Sequence, residues 1–395
     1  MRFSNLVDRV AGEGADAWEI YYKASAMARA GRPVINLCIG DPDFDAPEVA
    51  KQALIKAVEN NDTHYADIPG RPAIRAAIAE EFSARTGLPV TGANVIFMAG
   101  AQNALFAACQ CLFEVGDEVI VFEPAYVTYE ATVQATGAKI VKVPSPARQG
   151  FHVDLDALER AITPRTRGIL FATPSNPTGA VVSETEAAVI AELAKKHDLW
   201  VVSDEVYGAL TFEVPHVSIA ALPGMLERTA TISSLAKSHA MPGFRAGWVL
   251  GPKLLIDHIN TLSLALLYGL PGFIQEAAVA AIKHGQADVA RMKAAYKVRR
   301  DTLLETLGRV QSLRVAKPEG GMFVLVNVEA TGLTAKEFAF RLLDEEGVAL
   351  LPADAFGPSA KGHLRICFGL GDEALTAAAD KITAFCHRLA TEKAA

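Results

Sequence analysis

The chain reads as an α/β protein, with a large domain built on a mainly parallel, doubly wound sheet and a smaller α+β domain beside it. Three observations predict this. At 395 residues the chain exceeds what one ordinary core organises. Short apolar runs alternate with helical segments from residue 94 to residue 250, the order that builds parallel sheets. Those runs are continuous rather than alternating, as strands covered on both faces read. The last ninety or so residues change character and set off the smaller domain.

The elements follow in order. Residues 1–33 read as an irregular arm with one helical stretch near Ala15–Arg29. Val34–Ile39 is a strand closed by Gly40-Asp41-Pro42-Asp43, and a glycine there allows close backbone approach to a ligand. Pro47 opens a helix through about Val58, and a loop His64–Gly70 precedes a helix from Arg71 to Thr86. Asn94–Met98 is a strand, followed by the small-residue turn Ala99–Asn103 and a helix through Phe113. A strand, a tight turn and a helix N-terminus make a natural anion site. Glu118–Phe122, Ala138–Val143, Gly168–Phe171, Leu199–Val202, Thr229–Ile232 and Ala246–Leu250 are further strands. Between them Glu123–Tyr126 leads into a helix, and Asp154 or Asp156 caps another that runs to about Ile162. Ser183-Glu184-Thr185-Glu186 is a capping box for a helix to Lys196. Helices dominate Pro252–Leu307. Strands at Leu313–Val315, Met322–Val328, Ala349–Leu351 and His363–Cys367 then surround a helix at Thr334–Glu346, and a terminal helix starts near Asp372. The expected division is 1–45 as arm and part of the small domain, 46–300 as the large domain, and 301–395 as the small domain.

Composition narrows the function. Hydrophobic residues at 51% and charged residues at 21% exclude a disordered chain. A net charge of −7 without a basic stretch argues against a nucleic-acid partner. The five cysteines, Cys38, Cys109, Cys111, Cys367 and Cys386, are odd in number and form no C-x-x-C pair. That usage fits a reducing compartment, so a cytoplasmic location is expected. Met1–Asn5 carries no apolar signal core. The most apolar window, Leu262–Ile274, is broken by Gly269, Pro271 and Gly272, so no membrane span is expected. No metal site is expected.

The chemistry gathers at strand ends, where open α/β sheets hold their ligands. Lys237 follows the run Thr229–Ile232 in a stretch of small and apolar residues. Burial lowers a lysine pKa, and a neutral amine attacks a carbonyl and holds it as a Schiff base. Ser234 lies three residues before it and Arg245 eight after. A hydroxyl and a cationic fork beside such a lysine suit a carbonyl cofactor that carries a phosphate, which describes pyridoxal 5′-phosphate (PLP). Asn176 follows the strand Gly168–Phe171, and Asp204 with Tyr207 follows Leu199–Val202. Singly these have bland roles: Asn176 forms a turn, Asp204 caps a helix, Tyr207 edges a core. Together they are the set PLP needs. A buried carboxylate keeps the ring nitrogen protonated, donors hold the ring oxygen, and Tyr126 offers a face for stacking.

In order and spacing, these residues resemble the motifs of fold type I, class I/II PLP-dependent aminotransferases, over nearly the whole chain. The matching stretches are Tyr65 with Gly70, Gly100-Ala101-Gln102, Asn176-Pro177-Thr178-Gly179, Asp204-Glu205-Val206-Tyr207, Ser234-x-x-Lys237 with Arg245, and Arg365 in Leu364-Arg365-Ile366. The resemblance implies a seven-stranded, mainly parallel sheet in the large domain. It implies Lys237 as the Schiff-base lysine and proton carrier, Asp204 as partner of the ring nitrogen, and Asn176 and Tyr207 on the ring oxygen. Gly100, Ala101, Gln102, Ser234 and Arg245 would hold the phosphate. Arg365 would grip the substrate α-carboxylate, with Asn176 and the Gly40 backbone beside it. Tyr65 would reach the phosphate of a neighbouring subunit, so a homodimer with shared sites is implied. The chain departs from the pattern at Tyr126, where tryptophan is frequent, at Gln102, where lysine or threonine is common, and at Ala236 and Pro242. None of these removes a reacting group.

Several stretches further resemble transaminases that use arginine as donor and pyruvate as acceptor. They are Met1–Ser4, Asn61–Asp67, Glu123–Glu130, Ser238–Met241 and Ala355–Ala360. A guanidinium substrate calls for an acidic wall, for which Asp16 and Glu19 on the arm are candidates, although either also reads as part of a solvated helix face. The rival readings are an aspartate or aromatic aminotransferase, a PLP-dependent C–S β-lyase, and a PLP-binding regulatory or inactive relative. The short N-terminus leaves no room for the DNA-binding module of a regulator, and the full set of reacting groups argues against an inactive relative.

Overall fold

The computed structural model describes residues 1–11 and 18–394. Seven strands form the main sheet. After β1 (Ile35–Asn36) they are β2 (Val95–Ala99), β3 (Glu118–Glu123), β4 (Lys139–Pro144), β5 (Thr166–Ala172), β6 (Trp200–Asp204), β7 (Thr229–Ser234) and β8 (Ala246–Leu250). Their spatial order is β2-β8-β7-β6-β5-β3-β4. The pairs from β4 through β7 are parallel, and β8 runs antiparallel to both its neighbours. The continuous apolar runs have a simple cause. Leu170 and Val202 pack on one face with Ala104, Leu105 and Ala108 of the helix Gly100–Leu112. Ile169 and Val201, one residue away, pack on the other face with Ile190 and Ala194 of the helix Glu184–Lys196. The central residues of these strands are therefore buried, whichever way they point.

The register aligns the strand ends that matter. Ala172 pairs with Asp204, and Asp204 pairs with Ile232. The residues that follow β5, β6 and β7 thus emerge at one level above the sheet. Local caps support the frame. Ser183 and Glu186 form the expected capping box, and Asp154, rather than Asp156, caps the helix Leu155–Ala161.

A second layer holds β9 (Arg314–Val315), β10 (Phe323–Asn327), β11 (Val348–Ala349), β12 (Leu351–Pro352) and β13 (His363–Cys367). Four of them form a sheet in the order β12-β13-β10-β9, while β11 pairs in parallel with β1. The run expected as one strand, Ala349–Leu351, is therefore two short strands in different sheets, with Leu350 between them. Around this layer one core joins Val324 and Leu325 to Phe338, Leu342 and Phe385. Ile20, Ala24 and Met27 of the arm helix Glu19–Arg29 enter the same core. So do Met292, Tyr296, Leu303 and Leu307 of the helix Gln286–Gly308, within which residue 300 falls.

Two differences from the sequence reading have local causes. The arm carries a short helix, Asn5–Val10, where the sequence reads as irregular. Ser4 caps it, and Arg9 donates to the Gln134 carbonyl (3.1 Å), holding it against the helix Thr128–Thr136. The strand expected over Val34–Ile39 shrinks to two residues. Leu37 still bonds to Ala349 and Cys367, but the Cys38 N–H turns to the Asn36 side chain (3.0 Å). Beyond it the Cys38 and Gly40 carbonyls face side chains instead of a strand.

The two layers are clasped beside the loop that bears Asn176. His152 Nδ1 lies 2.9 Å from Glu186 and Nε2 3.5 Å from Glu319, whose carboxylate also accepts from Val181 N–H (2.9 Å). The Glu186 hydrogen bond, then that of Glu319, pushes the His152 pKa up to about 10. A group raised above its unfolded value contributes fully below pH 6.5 and loses that contribution as pH climbs through about 10. We therefore expect His152→Gln to melt below wild type from pH 6 to 8, with the gap closing near pH 10. Thermal denaturation across that range is the check, and a pH-independent gap would dismiss the charged clasp.

Candidate active site

A cavity of about 250 Å³ lies where the ends of β5, β6 and β7 meet the smaller layer. Lys237 enters it from the short helix Leu235–Ser238, which Ser234 caps by accepting from Ala236 N–H (3.4 Å). Lys237 Nζ donates to the Gly40 carbonyl. Burial lowers its pKa, which favours the neutral, nucleophilic amine.

Asp204 lines the cavity from the end of β6. Burial pushes its pKa up to about 6, against the Tyr129 hydroxyl at 2.7 Å and the Val206 N–H at 3.2 Å, which favour the charged form. It is therefore a buried carboxylate that stays ionised at neutral pH. Tyr207 also lines the cavity; its ring stands at 80° to Phe323 with centroids 5.9 Å apart. Tyr126 lines the same wall and meets Tyr129 edge-on at 5.9 Å.

Arg365 is 2% exposed. Nη1 donates to Asn176 Oδ1 (2.8 Å) and Nη2 to the Cys38 carbonyl, whereas Nε has no partner among the described residues. Its guanidinium lies 4.2 Å from the centroid of Phe323 and 5.0 Å from that of Phe356. Desolvated contacts of this kind are worth about 2 kcal/mol each. Gly40 is adjacent, and a Cβ there would collide with the Phe323 ring.

At the other end, Gly100 (φ +82°) starts the helix Gly100–Leu112. A Cβ on it would overlap the Arg245 guanidinium, which donates to the carbonyls of Pro242 (2.9 Å) and Ala99 (3.4 Å). Ser234 and the first turn of that helix, Ala101 and Gln102, border the same corner. The Gln102 side chain is fixed between Thr128 (2.7 Å) and Thr132 (3.0 Å). Free helix N–H groups, a hydroxyl and a guanidinium form a cradle for a phosphate.

The structure thus brings Lys237, Asp204, Tyr207, Asn176, Ser234, Arg245, Ala101, Gln102, Tyr126, Gly40 and Arg365 to one cavity, with Gly100 under Arg245. It leaves two predicted residues apart. Tyr65 is 88% exposed and rests against Tyr268, ring centroids 5.2 Å apart. Glu19 pairs with Lys336 at 2.8 Å and does not line the cavity. Asp16 lies outside the described residues. Three residues escaped the sequence reading. Tyr129 holds Asp204, Phe323 carries Arg365 and Tyr207, and Trp18 of the arm walls the cavity. Tyr129 alone left a signal, because it follows Tyr126 by three residues at the entrance to a helix, one turn further on.

The family model for aminotransferase class I and II matches residues 32–382. The chain is a class I and II aminotransferase. This aminotransferase is 48% identical to an arginine–pyruvate transaminase of Pseudomonas aeruginosa over 97% of both chains. It is 34% identical to an aspartate aminotransferase of Musicola paradisiaca over 96% of both. Among solved structures, a mutant aspartate aminotransferase of Thermus thermophilus superimposes with TM-score 0.92 at 34% identity, over 97% of this chain and all of that one. The aminotransferase uses PLP, and the cradle, the buried carboxylate, the lysine and the unpartnered Arg365 Nε suit that cofactor and a carboxylate substrate.

Tyr129 is the one side chain that donates a hydrogen bond to Asp204 among the described residues. Removing a hydrogen bond to a charged group costs about 1.5 kcal/mol or more, equivalent to about one pH unit. PLP binding to the apoenzyme should therefore fall off on the acid side near pH 6 in wild type, and about one unit higher in Tyr129→Phe. Titrating cofactor binding against pH tests this; an unmoved midpoint removes Tyr129 as the group that keeps Asp204 charged.

Proposed function

We propose that this aminotransferase takes the α-amino group of L-arginine and passes it to pyruvate in two successive half-reactions. The observation that carries the donor is the kinship, over nearly the full length of both chains, with the Pseudomonas aeruginosa arginine–pyruvate transaminase. Bound PLP supplies an electron sink for charge developing at the substrate Cα. Lys237 takes the Cα proton and delivers it to the cofactor side, held in line by the Gly40 carbonyl. Asp204, kept ionised through Tyr129, would pair with the ring nitrogen. Asn176 and Tyr207 would donate to the ring oxygen, and Tyr126 would offer its face to the ring. Gly100, Ala101, Gln102, Ser234 and Arg245 would hold the phosphate. Arg365 and Asn176 receive the α-carboxylate, where the unpartnered Nε offers a further donor.

A homodimer is part of this reading. Exposed Tyr65 and Tyr268 continue into exposed Leu264, Leu266 and Leu267, an apolar patch that a second copy would cover. Tyr65 then serves the phosphate site of the other subunit. Among the described residues no helix is long and apolar enough to cross a membrane, and the reading places the enzyme in the cytoplasm.

The test is a donor scan without keto acid, following loss of the visible absorbance of the bound cofactor. Arginine should convert the enzyme fastest. Faster conversion by aspartate or an aromatic amino acid discards the donor and keeps the reaction. Pyruvate and ammonia released from cystathionine instead would make it a β-lyase. Lys237→Ala should lose the pH-dependent visible band and at least about 10²–10⁴-fold in turnover; an unchanged spectrum would contradict the lysine assignment.

A further inference from the structure

We propose that Trp18 sets the donor specificity by receiving the cationic end of the substrate on the face of its indole. This rests on the arginine reading above. The charged groups of the cavity are already committed. Lys237 serves the proton, Arg245 the phosphate, Arg365 the α-carboxylate and Asp204 the ring nitrogen. Asp204 is the one carboxylate among the described residues that line the cavity. Glu19, the nearest acidic residue described on the arm, is engaged by Lys336. A guanidinium brought in from water still needs a partner, because a desolvated charge without one is costly. Among neutral side chains, an indole face is the strongest such partner.

Trp18 is placed for this. It lines the cavity from the N-cap position of the helix Glu19–Arg29 and makes no capping hydrogen bond through its side chain. Tyr21 braces the ring at 84°, with centroids 6.3 Å apart. Ile20, two residues on, is buried in the core of the smaller layer, so the backbone that carries the indole is anchored. Gln102, which also lines the cavity, is neutral and locked by Thr128 and Thr132, so it brings no positive charge against an incoming cation.

The test compares L-arginine with L-citrulline, its neutral isostere, in wild type, Trp18→Leu, Trp18→Phe and Asp16→Asn. Trp18→Leu should lower kcat/KM for arginine about tenfold, mainly through KM, and leave citrulline within about twofold. Trp18→Phe, which restores an aromatic face, should recover most of the loss. Two results would overturn the assignment: an arginine-to-citrulline ratio that Trp18→Leu leaves unchanged, whether through equal losses, which mark a mere cover, or through none; or collapse of the ratio in Asp16→Asn alone. A wild-type enzyme that does not turn over arginine sinks the donor reading and this proposal with it. A wild type that prefers arginine while Trp18→Leu keeps that preference sinks the proposal alone.

Discussion

A guanidinium almost wholly removed from water must find every partner inside the protein. Among the described residues Arg365 finds all but the one for Nε in four separate stretches: Asn176 after β5, the Cys38 carbonyl before the Gly40 turn, and the rings of Phe323 and Phe356 in the smaller layer. Much of the local structure follows from that demand. β1 stops after two residues because the Cys38 N–H turns to the Asn36 side chain and the carbonyls of Cys38 and Gly40 are directed at Arg365 and Lys237. Position 40 must lack a Cβ because Phe323 occupies the space. The same ring turns its edge or face to Tyr207. One buried cation therefore holds the sheet ends, the N-terminal segment and the smaller layer around a common cavity.

Electrostatics at the end of β6 shows how finely neighbouring acids can be set apart. Asp204 and Glu205 are adjacent and both buried, yet their pKa values shift in opposite directions. Asp204 is raised by burial, with two hydrogen-bond donors opposing the rise. Glu205 points away into its own set: His216 at 2.9 Å, Ser218 at 2.8 Å and Ser203 at 3.1 Å, with Arg85 nearby. Burial would raise Glu205 too, but His216 heads the opposing contacts and the balance falls below the ordinary value. The successive-residue alternation of an extended chain makes this possible, sending one carboxylate to the cavity and the next to the far side.

What the sequence makes legible is governed by locality. Asp204, Ser234 and Lys237 stand out because polar residues end apolar runs, and the register then brings those ends level. The direction of β8 is not legible, since an apolar run of five residues reads the same either way along the chain. Nor is the division at Leu350, because a continuous apolar stretch carries no mark where it leaves one sheet for another. Phe323 reads as one more strand residue; its role depends on Arg365, more than forty residues later. One residue separates Glu19, whose carboxylate meets Lys336, from Trp18, which lines the cavity, and a step of that size on an arm helix leaves no mark in the sequence.

Leu350 has a mechanical consequence. It is the sole residue between β11, which pairs with the N-terminal segment through β1, and β12, which pairs with Arg365 itself on β13. It is also fully buried, so the joint has no slack and cannot slip by one residue without turning Leu351 away from the core. The arm strand and the carboxylate grip are coupled like two arms of a short crank.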